Sequence, residues 1–316
     1  RVLKCSKYPF VDMKISDNSF LNQVTGRSAC TKCNKSRKFF CYTCCIPVAE
    51  LQGKLPVVKL PVKIDIIKHK SEIDGKSSAV HAPILAPDDV RIFTYPDIPN
   101  YAAEERVVLI FPSANSSTVN QLFNDNIQLE NTGNSEYPKG HRMGTLLKFR
   151  LLETKKCEPG EEINEPKRRY GTNDLPVRRA VFIDSTWNQS RGIYKDERIN
   201  SLKSIALQNR ISQFWRHQRG SPRWYLATIE AIHQFLLEIH VNAWGLNRSY
   251  KGLDNLEICN AFYETARVLD WDCCDEDPTS PYNGQYDNLL FFFSHMYDLI
   301  HLYYDHNELK SYKRPI

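Results

Sequence analysis

The sequence predicts an α/β protein built on a parallel sheet, with a small cysteine-bearing module ahead of it. Three observations carry this. Apolar runs at RVVLIFP (106–112), RRAVFID (178–184) and RWYLA (223–227) are continuous rather than alternating, the pattern of strands buried on both faces. Each run ends in small or polar residues, and helical stretches separate them, as in sheets whose strand-end loops line one site. Two CxxC pairs lie close together between residues 30 and 44.

Taken in order, residues 1–26 are polar and weakly patterned and read as an N-terminal arm. Residues 27–50 form the cysteine module, and residues 55–316 form the main α/β domain, with an irregular insertion at about 113–175. VKIDIIKH (62–69) alternates as a strand does, then runs into the polar KSEIDGKSSAVH. Within the insertion, TLLKFRLLE (145–153) reads as a further strand, and EPGEEINEPKRRYGTNDLP as a solvated excursion. Residues 196–212 read as a helix. TIEAIHQFLLEIHVNAWG places Ile229, Ile232, Leu236, Ile239 and Ala243 on one helical face, with Gly245 set to stop it. Further helices are expected near 254–268 and 285–304. No GxGxxG or GxxxxGK[ST] occurs, so no dinucleotide fingerprint or P-loop is supported.

The bulk numbers narrow the function classes little. The chain has 316 residues, 41% hydrophobic and 25% charged, with a net charge of +5 that permits a polyanionic partner without requiring one. No run of 18 apolar residues appears, which argues against a membrane span, and the opening RVLKCSKYPFVDMK lacks the apolar core of a secretion signal. Ten cysteines would suit a secreted disulfide protein. Four of them instead form the paired CxxC motifs, which suits a reducing compartment and a metal.

Cys30, Cys33, Cys41 and Cys44 have the spacing of two knuckles around one tetrahedral ion, and four thiolates make a closed structural zinc site. The competing reading is a chance cluster of buried thiols. Around them, Arg27, Lys32, Lys35, Arg37 and Lys38 can meet phosphates while Phe39, Phe40 and Tyr42 stack on bases; a solvated basic loop explains them equally well. Arg210, Arg216, Arg219 and Arg223, interleaved with Phe214, Trp215 and Trp224, form a second such mixture that suits a backbone-tracking, base-stacking surface for RNA; a solvated loop explains it nearly as well.

HKSEIDGKSS, LIFPSANS, DSTW and YLATIEA occur in that order, after the cysteine module. With these motifs the sequence resembles the DTW-domain family, the tRNA-uridine aminocarboxypropyltransferases, and within it the eukaryotic branch. The resemblance covers roughly residues 27–305. It implies a SPOUT-like α/β fold with a knotted S-adenosylmethionine site, with tRNA as partner and the nucleus as the expected compartment, the cytoplasm being a second. The implied reaction transfers the 3-amino-3-carboxypropyl group of S-adenosylmethionine to N3 of a D-loop uridine and releases methylthioadenosine.

Carried over by residue, the implied cofactor-binding set is His69, Glu72, Ser77, Ser78, Phe111, Pro112, Ser113, Ala114, Leu226, Ala227, Thr228 and Glu230. The signature residues Asp184, Thr186 and Trp187 are the implied catalytic group. Two departures stand out: Lys70 replaces the family's proline, and the loop 111–114 lacks its usual glycine. Read as chemistry, Asp184 is either a base for the weakly acidic imide or a helix N-cap. Trp187 either walls the pocket or belongs to the core. Glu230 either meets the cofactor's ammonium or complements a helix dipole, and the N–H groups at that helix start suit the cofactor's carboxylate. Two other functions compete: a SPOUT-type RNA methyltransferase using the same pocket, and a non-enzymatic zinc-bearing RNA-binding protein.

Overall fold

A computed structural model of the chain describes residues 8–124, 170–218, 220–270 and 277–316. Its centre is a sheet of six strands: β1 (Lys63–Lys68), β2 (Val90–Thr94), β3 (Val107–Ile110), β4 (Ser117–Thr118), β5 (Arg179–Asp184) and β6 (Lys203–Ala206). Their spatial order is β2-β1-β5-β3-β6-β4, and every neighbouring pair is parallel. Two late strands are therefore laid into gaps between earlier ones: β5 between β1 and β3, and β6 between β3 and β4. All six carboxyl ends share one edge, where open α/β sheets hold their ligands.

Alternation along the strands explains the continuous apolar runs. Ile64 and Ile66 of β1, Val108 of β3 and Ala180 and Phe182 of β5 face the larger core. Ile67, Val107, Leu109 and Val181 face a smaller core on the other side. Both faces are covered, so the middle residues of β1, β3 and β5 are nearly all apolar. Asp65 is the exception on the smaller face. It is fully buried and accepts from Arg91, Arg179 and Tyr101, which offsets the cost of taking its charge out of water.

Three helices matter for the site: α1 (His81–Leu85), α2 (Trp187–Tyr194) and α3 (Thr228–Trp244). Helix α3 lies on the larger core face, with Phe235 edge-on to Phe182 at 5.8 Å. It is buried almost all round, polar residues included, so its one-sided apolar pattern understates how central it is. Gly245 ends it at φ +91°, where an added Cβ would sit 2.8 Å from the Arg267 carbonyl oxygen. A fourth helix, α4 (Phe291–Tyr303), buries Phe291, Phe292 and Phe293 and leaves Leu302 and Tyr303 exposed. Residues 8–26 lie against the body: Phe10 and Leu21 are buried in the larger core, and the Lys14 N–H donates to Asp287 at 2.7 Å. Each such burial is worth about 1.5–3 kcal/mol.

Several expected elements differ. RWYLA is no strand: residues 223–224 form a turn after Pro222, 225–227 are irregular, and Ala227 is the N-cap of α3. The segment 196–212, expected to be a helix, holds only one helical turn, Glu197–Asn200, followed by strand β6. Strand β2 was not anticipated. The helix expected over 254–268 shrinks to Asn260–Thr265, because Leu253, Leu256 and Ile258 reach the core from irregular backbone. The strand expected at 145–153 lies outside the described residues. Among the described residues no helix is long and apolar enough to cross a membrane.

Candidate active site

The two CxxC pairs make matching knuckles. Ser28–Ala29 pairs with Ser36–Arg37, and Phe40–Cys41 with Ile46–Pro47, both antiparallel. In each knuckle the residue after the second cysteine is left-handed: Asn34 at φ +56° and Cys45 at φ +54°. Its N–H bonds the carbonyl of the first cysteine, Asn34 to Cys30 at 2.9 Å and Cys45 to Cys41 at 2.8 Å. Cys45 is thus a turn residue, holding a conformation that costs roughly 1–2 kcal/mol. Burial also pushes its thiol up to about 11.

The ligating sulfurs of Cys30, Cys33, Cys41 and Cys44 lie within 4.8 Å of one another. Burial opposes ionisation of Cys41, but N–H donors from Cys44 and Thr43 and the Arg37 guanidinium outweigh it and bring the thiol to about 6. A compact set of four sulfurs fits a closed structural metal such as zinc and leaves no open position for catalysis.

At the sheet's carboxyl edge, the strand alternation that sends Ala180 and Phe182 toward α3 sends Asp184 there too. Asp184 is 6% exposed. One carboxylate oxygen accepts from Ser77 Oγ at 2.7 Å, and the other from Thr228 Oγ1, in the first turn of α3, at 2.6 Å. Burial raises its pKa above the usual carboxylate range, and the Thr228 and Ser77 hydroxyls partly hold it down. Ser77 also accepts the Ala79 N–H, and Ser78 Oγ accepts the Ile229 N–H at 3.3 Å, tying the loop after β1 to the start of α3. His69 donates its N–H to the Asp184 carbonyl at 3.1 Å, and Glu72 donates its N–H to His69. Glu72 is itself pushed up by burial and by Asp184. The helix N-cap is therefore Thr186, whose N–H donates to Gln189 Oε1 at 3.1 Å. The side chain of Trp187 lies outside the description.

A cavity of about 580 Å³ opens beside Asp184. Phe111 and Pro112 after β3, Ser185 after β5, Gln208 and Asn209 after β6, and Leu226 and Thr228 at α3 line it. Among the described residues, Arg191 of α2 is the only charged side chain on its wall. Ser77 and Ser78 line a second, smaller cavity of about 230 Å³ instead. Ser113, Ala114, His69, Glu72, Thr186, Ala227 and Glu230 line neither, and Asp184 meets the two cavities only through Ser77 and Thr228. Sequence reading missed Gln208, Asn209 and Arg191. The first two follow β6, which was taken for helix.

Two expected roles need correcting. Glu230 has no exposed surface, and its oxygens accept from Ser212 Oγ at 2.6 Å, the Gln213 N–H at 2.8 Å and the Ala227 N–H at 2.9 Å. It clamps the 212–213 loop onto α3 and has no face to offer a ligand. Arg210, expected on an RNA surface, is 1% exposed. Its Nη1 lies 3.1 Å from His233 Nδ1, in a buried network with Asp287, Tyr250 and Tyr282. Arg223 is half-buried over the Tyr312 ring at 5.5 Å. Arg216 reaches the Gly75 carbonyl and lines the smaller cavity. Arg219 lies outside the described residues.

A family model described as the DTW domain matches residues 38–301. The tRNA-uridine aminocarboxypropyltransferase 1 of Mus musculus is 40% identical over 281 residues, 88% of this chain and 78% of its own length. The Xenopus laevis protein of that name is 38% identical over 294 residues, 92% and 86% of the two chains. The Homo sapiens one is 40% identical over 283 residues, 88% and 78%. No solved structure matches the chain. The chain belongs to the DTW-domain family.

Proposed function

We propose that this chain is a tRNA-uridine aminocarboxypropyltransferase that uses S-adenosylmethionine and modifies N3 of a D-loop uridine. The observation that carries this reading is Asp184. It is buried between two cavities, with one oxygen held by a residue of each, in a family whose curated relatives bear that enzyme name. When bound, S-adenosylmethionine supplies an electrophilic γ-carbon: the bond from N3 forms as the carbon–sulfur bond breaks, and the electron pair leaves on sulfur in methylthioadenosine.

The chain's own residues do the rest. The cavity of about 580 Å³ lies within the roughly 300–1,000 Å³ range of small-molecule sites and offers apolar walls with few polar groups. Arg191 suits the amino acid's carboxylate, and Gln208, Asn209 and Thr228 supply hydrogen bonds. Asp184 takes the N3 proton. Burial makes it a stronger base than an exposed aspartate, and the Ser77 and Thr228 hydroxyls favour its ionised form. Orientation of the γ-carbon against N3 can supply about 7–11 kcal/mol. Thr186 sets the helix that carries Trp187 and Arg191.

A SPOUT-like, threaded path is part of the same reading, supported by β5 and β6 lying between strands that precede them. Nuclear residence rests on the family resemblance. Incubating the chain with S-adenosylmethionine and bulk tRNA, then weighing the nucleosides and the spent co-substrate, tests the reading. Methylthioadenosine with an alkylated uridine is expected. S-adenosylhomocysteine would mean a methyltransferase, and no turnover with retained tRNA binding would mean an RNA-binding protein.

A further inference from the structure

The smaller cavity lies at the seam between the cysteine module and the sheet, and it joins stretches that are far apart in sequence. The module brings Arg27, Lys38 and Phe40 to it; the loop after β1 brings Lys76; and Trp215 and Arg216 close it from the far side. Lys38 and Lys76 are exposed, and Phe40, Trp215 and Arg216 are half-buried. The rings are fixed by packing: Trp215 on Phe293 at 5.1 Å and Phe40 on Phe292 at 4.7 Å. His81 of α1 also lines the cavity, edge-on to Phe40 at 5.4 Å. It is 6% exposed, and its Nδ1 has no hydrogen-bond partner among the described residues.

We propose that this seam is a nucleotide pocket, holding a single-stranded RNA residue beside the modified uridine. The inference rests on the proposed function only for the identity of that uridine. Cations at the rim suit phosphates, packed rings offer stacking platforms, and an unpaired ring nitrogen offers a hydrogen bond to a base edge. A small-molecule site of this size would need few cations, and the five basic side chains lining this cavity against one acid suit a polyanion. Ser77 ties the pocket to the chemistry, since it lines the seam and holds the Asp184 carboxylate. The cysteine module thereby gains a purpose, as one wall of a groove that the sheet alone would leave open.

The test uses the full chain with an unmodified tRNA and with a short single-stranded RNA, measured by fluorescence anisotropy over a range of salt. The triple variant Lys38→Ala, Lys76→Ala, Arg216→Ala is expected to bind both RNAs at least about 10-fold more weakly at low salt. Its slope of log affinity against log salt should shrink by about 2, since each lost single-strand phosphate contact removes about 0.7. Trp215→Leu is expected to weaken binding about 5-fold or more without changing that slope, the mark of a lost stack. His81→Phe keeps the ring packing, and it should lower affinity for the short RNA at an unchanged slope. S-adenosylmethionine affinity and melting temperature report on folding and should stay at the wild-type level in the triple variant. Unchanged RNA affinity and salt slope in the triple variant would overturn the proposal. So would displacement of the RNA by poly-glutamate as effective as displacement by unlabelled RNA. A wild-type chain that transfers nothing yet shows this pattern would refute the proposed function alone.

Discussion

The two cavities on either side of Asp184 are built differently. The larger one is made of strand ends and the first turn of α3, and among the described residues it carries one charged side chain, Arg191. The smaller one is made where the cysteine module meets the sheet, and it carries a cluster of cations over packed rings. A parallel sheet furnishes the first without help, because its strands all end on the same edge. The second needs two parts of the chain to be held together. Under the proposed function the difference teaches a division of labour: the larger cavity suits a small molecule, the smaller one suits a polyanion, and one residue of each holds the Asp184 carboxylate.

The sharpest way to break this comparison is to remove the metal that the module's four sulfurs would hold. Its paired strands are two residues each, too short to be stable without a staple. Cys41→Ser, or a strong chelator, is expected to release one metal equivalent by elemental analysis and to lower RNA affinity by more than about 10-fold, roughly the effect of losing several contacts. Calorimetric titration with S-adenosylmethionine should still find the larger cavity.

Next in size is Arg210→Ala, which leaves a buried network without its cation. A loss of about 3–5 kcal/mol is expected in denaturant unfolding, with no change in the salt dependence of RNA binding, because Arg210 faces neither cavity.

Glu238 sharpens the comparison from beneath the larger cavity, where it accepts the Gln208 N–H at 2.8 Å. Burial raises its pKa to about 7. A raised carboxylate contributes stability that is fully present below its unfolded value and lost as pH rises through about 7. Glu238→Gln should therefore unfold with less dependence on pH between about 4.5 and 7, removing a contribution on the order of 3 kcal/mol. Equal pH dependence in wild type and variant would show that Glu238 does not titrate there.

The smallest expected effects are Ser77→Ala and Thr228→Ala, one from each side of the boundary. Both hydroxyls hold the Asp184 pKa down, so losing either should move the acid limb of the pH–rate profile to higher pH. Equal shifts would mean that both cavities grip the carboxylate; a shift from one alone would assign it to that side.

Strands β3 and β5 were legible because they are buried on both faces and read as apolar runs, and β1 because VKIDIIKH alternates. Strand β6 was not legible. It has four residues, begins on exposed Lys203 and follows a capped helical turn. RWYLA misled because its composition is that of a strand, although Pro222 and the cap at Ala227 bracket a turn and irregular backbone. The cysteine ligands were plain from spacing, while the turn role of Cys45 depends on a backbone angle that composition does not reveal. The signature at 184–187 pointed to Asp184, but its partners Ser77 and Thr228 come from distant segments. Arg210 shows the limit most clearly, since a buried arginine and an exposed one look alike in a basic run.

The central claim is that Asp184 activates the pyrimidine nitrogen at the boundary of the two cavities. It is tested by comparing wild type with Asp184→Asn in single-turnover transfer to tRNA, with both binding constants measured in parallel. Methylthioadenosine formation is expected to fall roughly 10²–10⁴-fold while S-adenosylmethionine and tRNA still bind. Product formation at the wild-type rate in the asparagine variant would contradict the account.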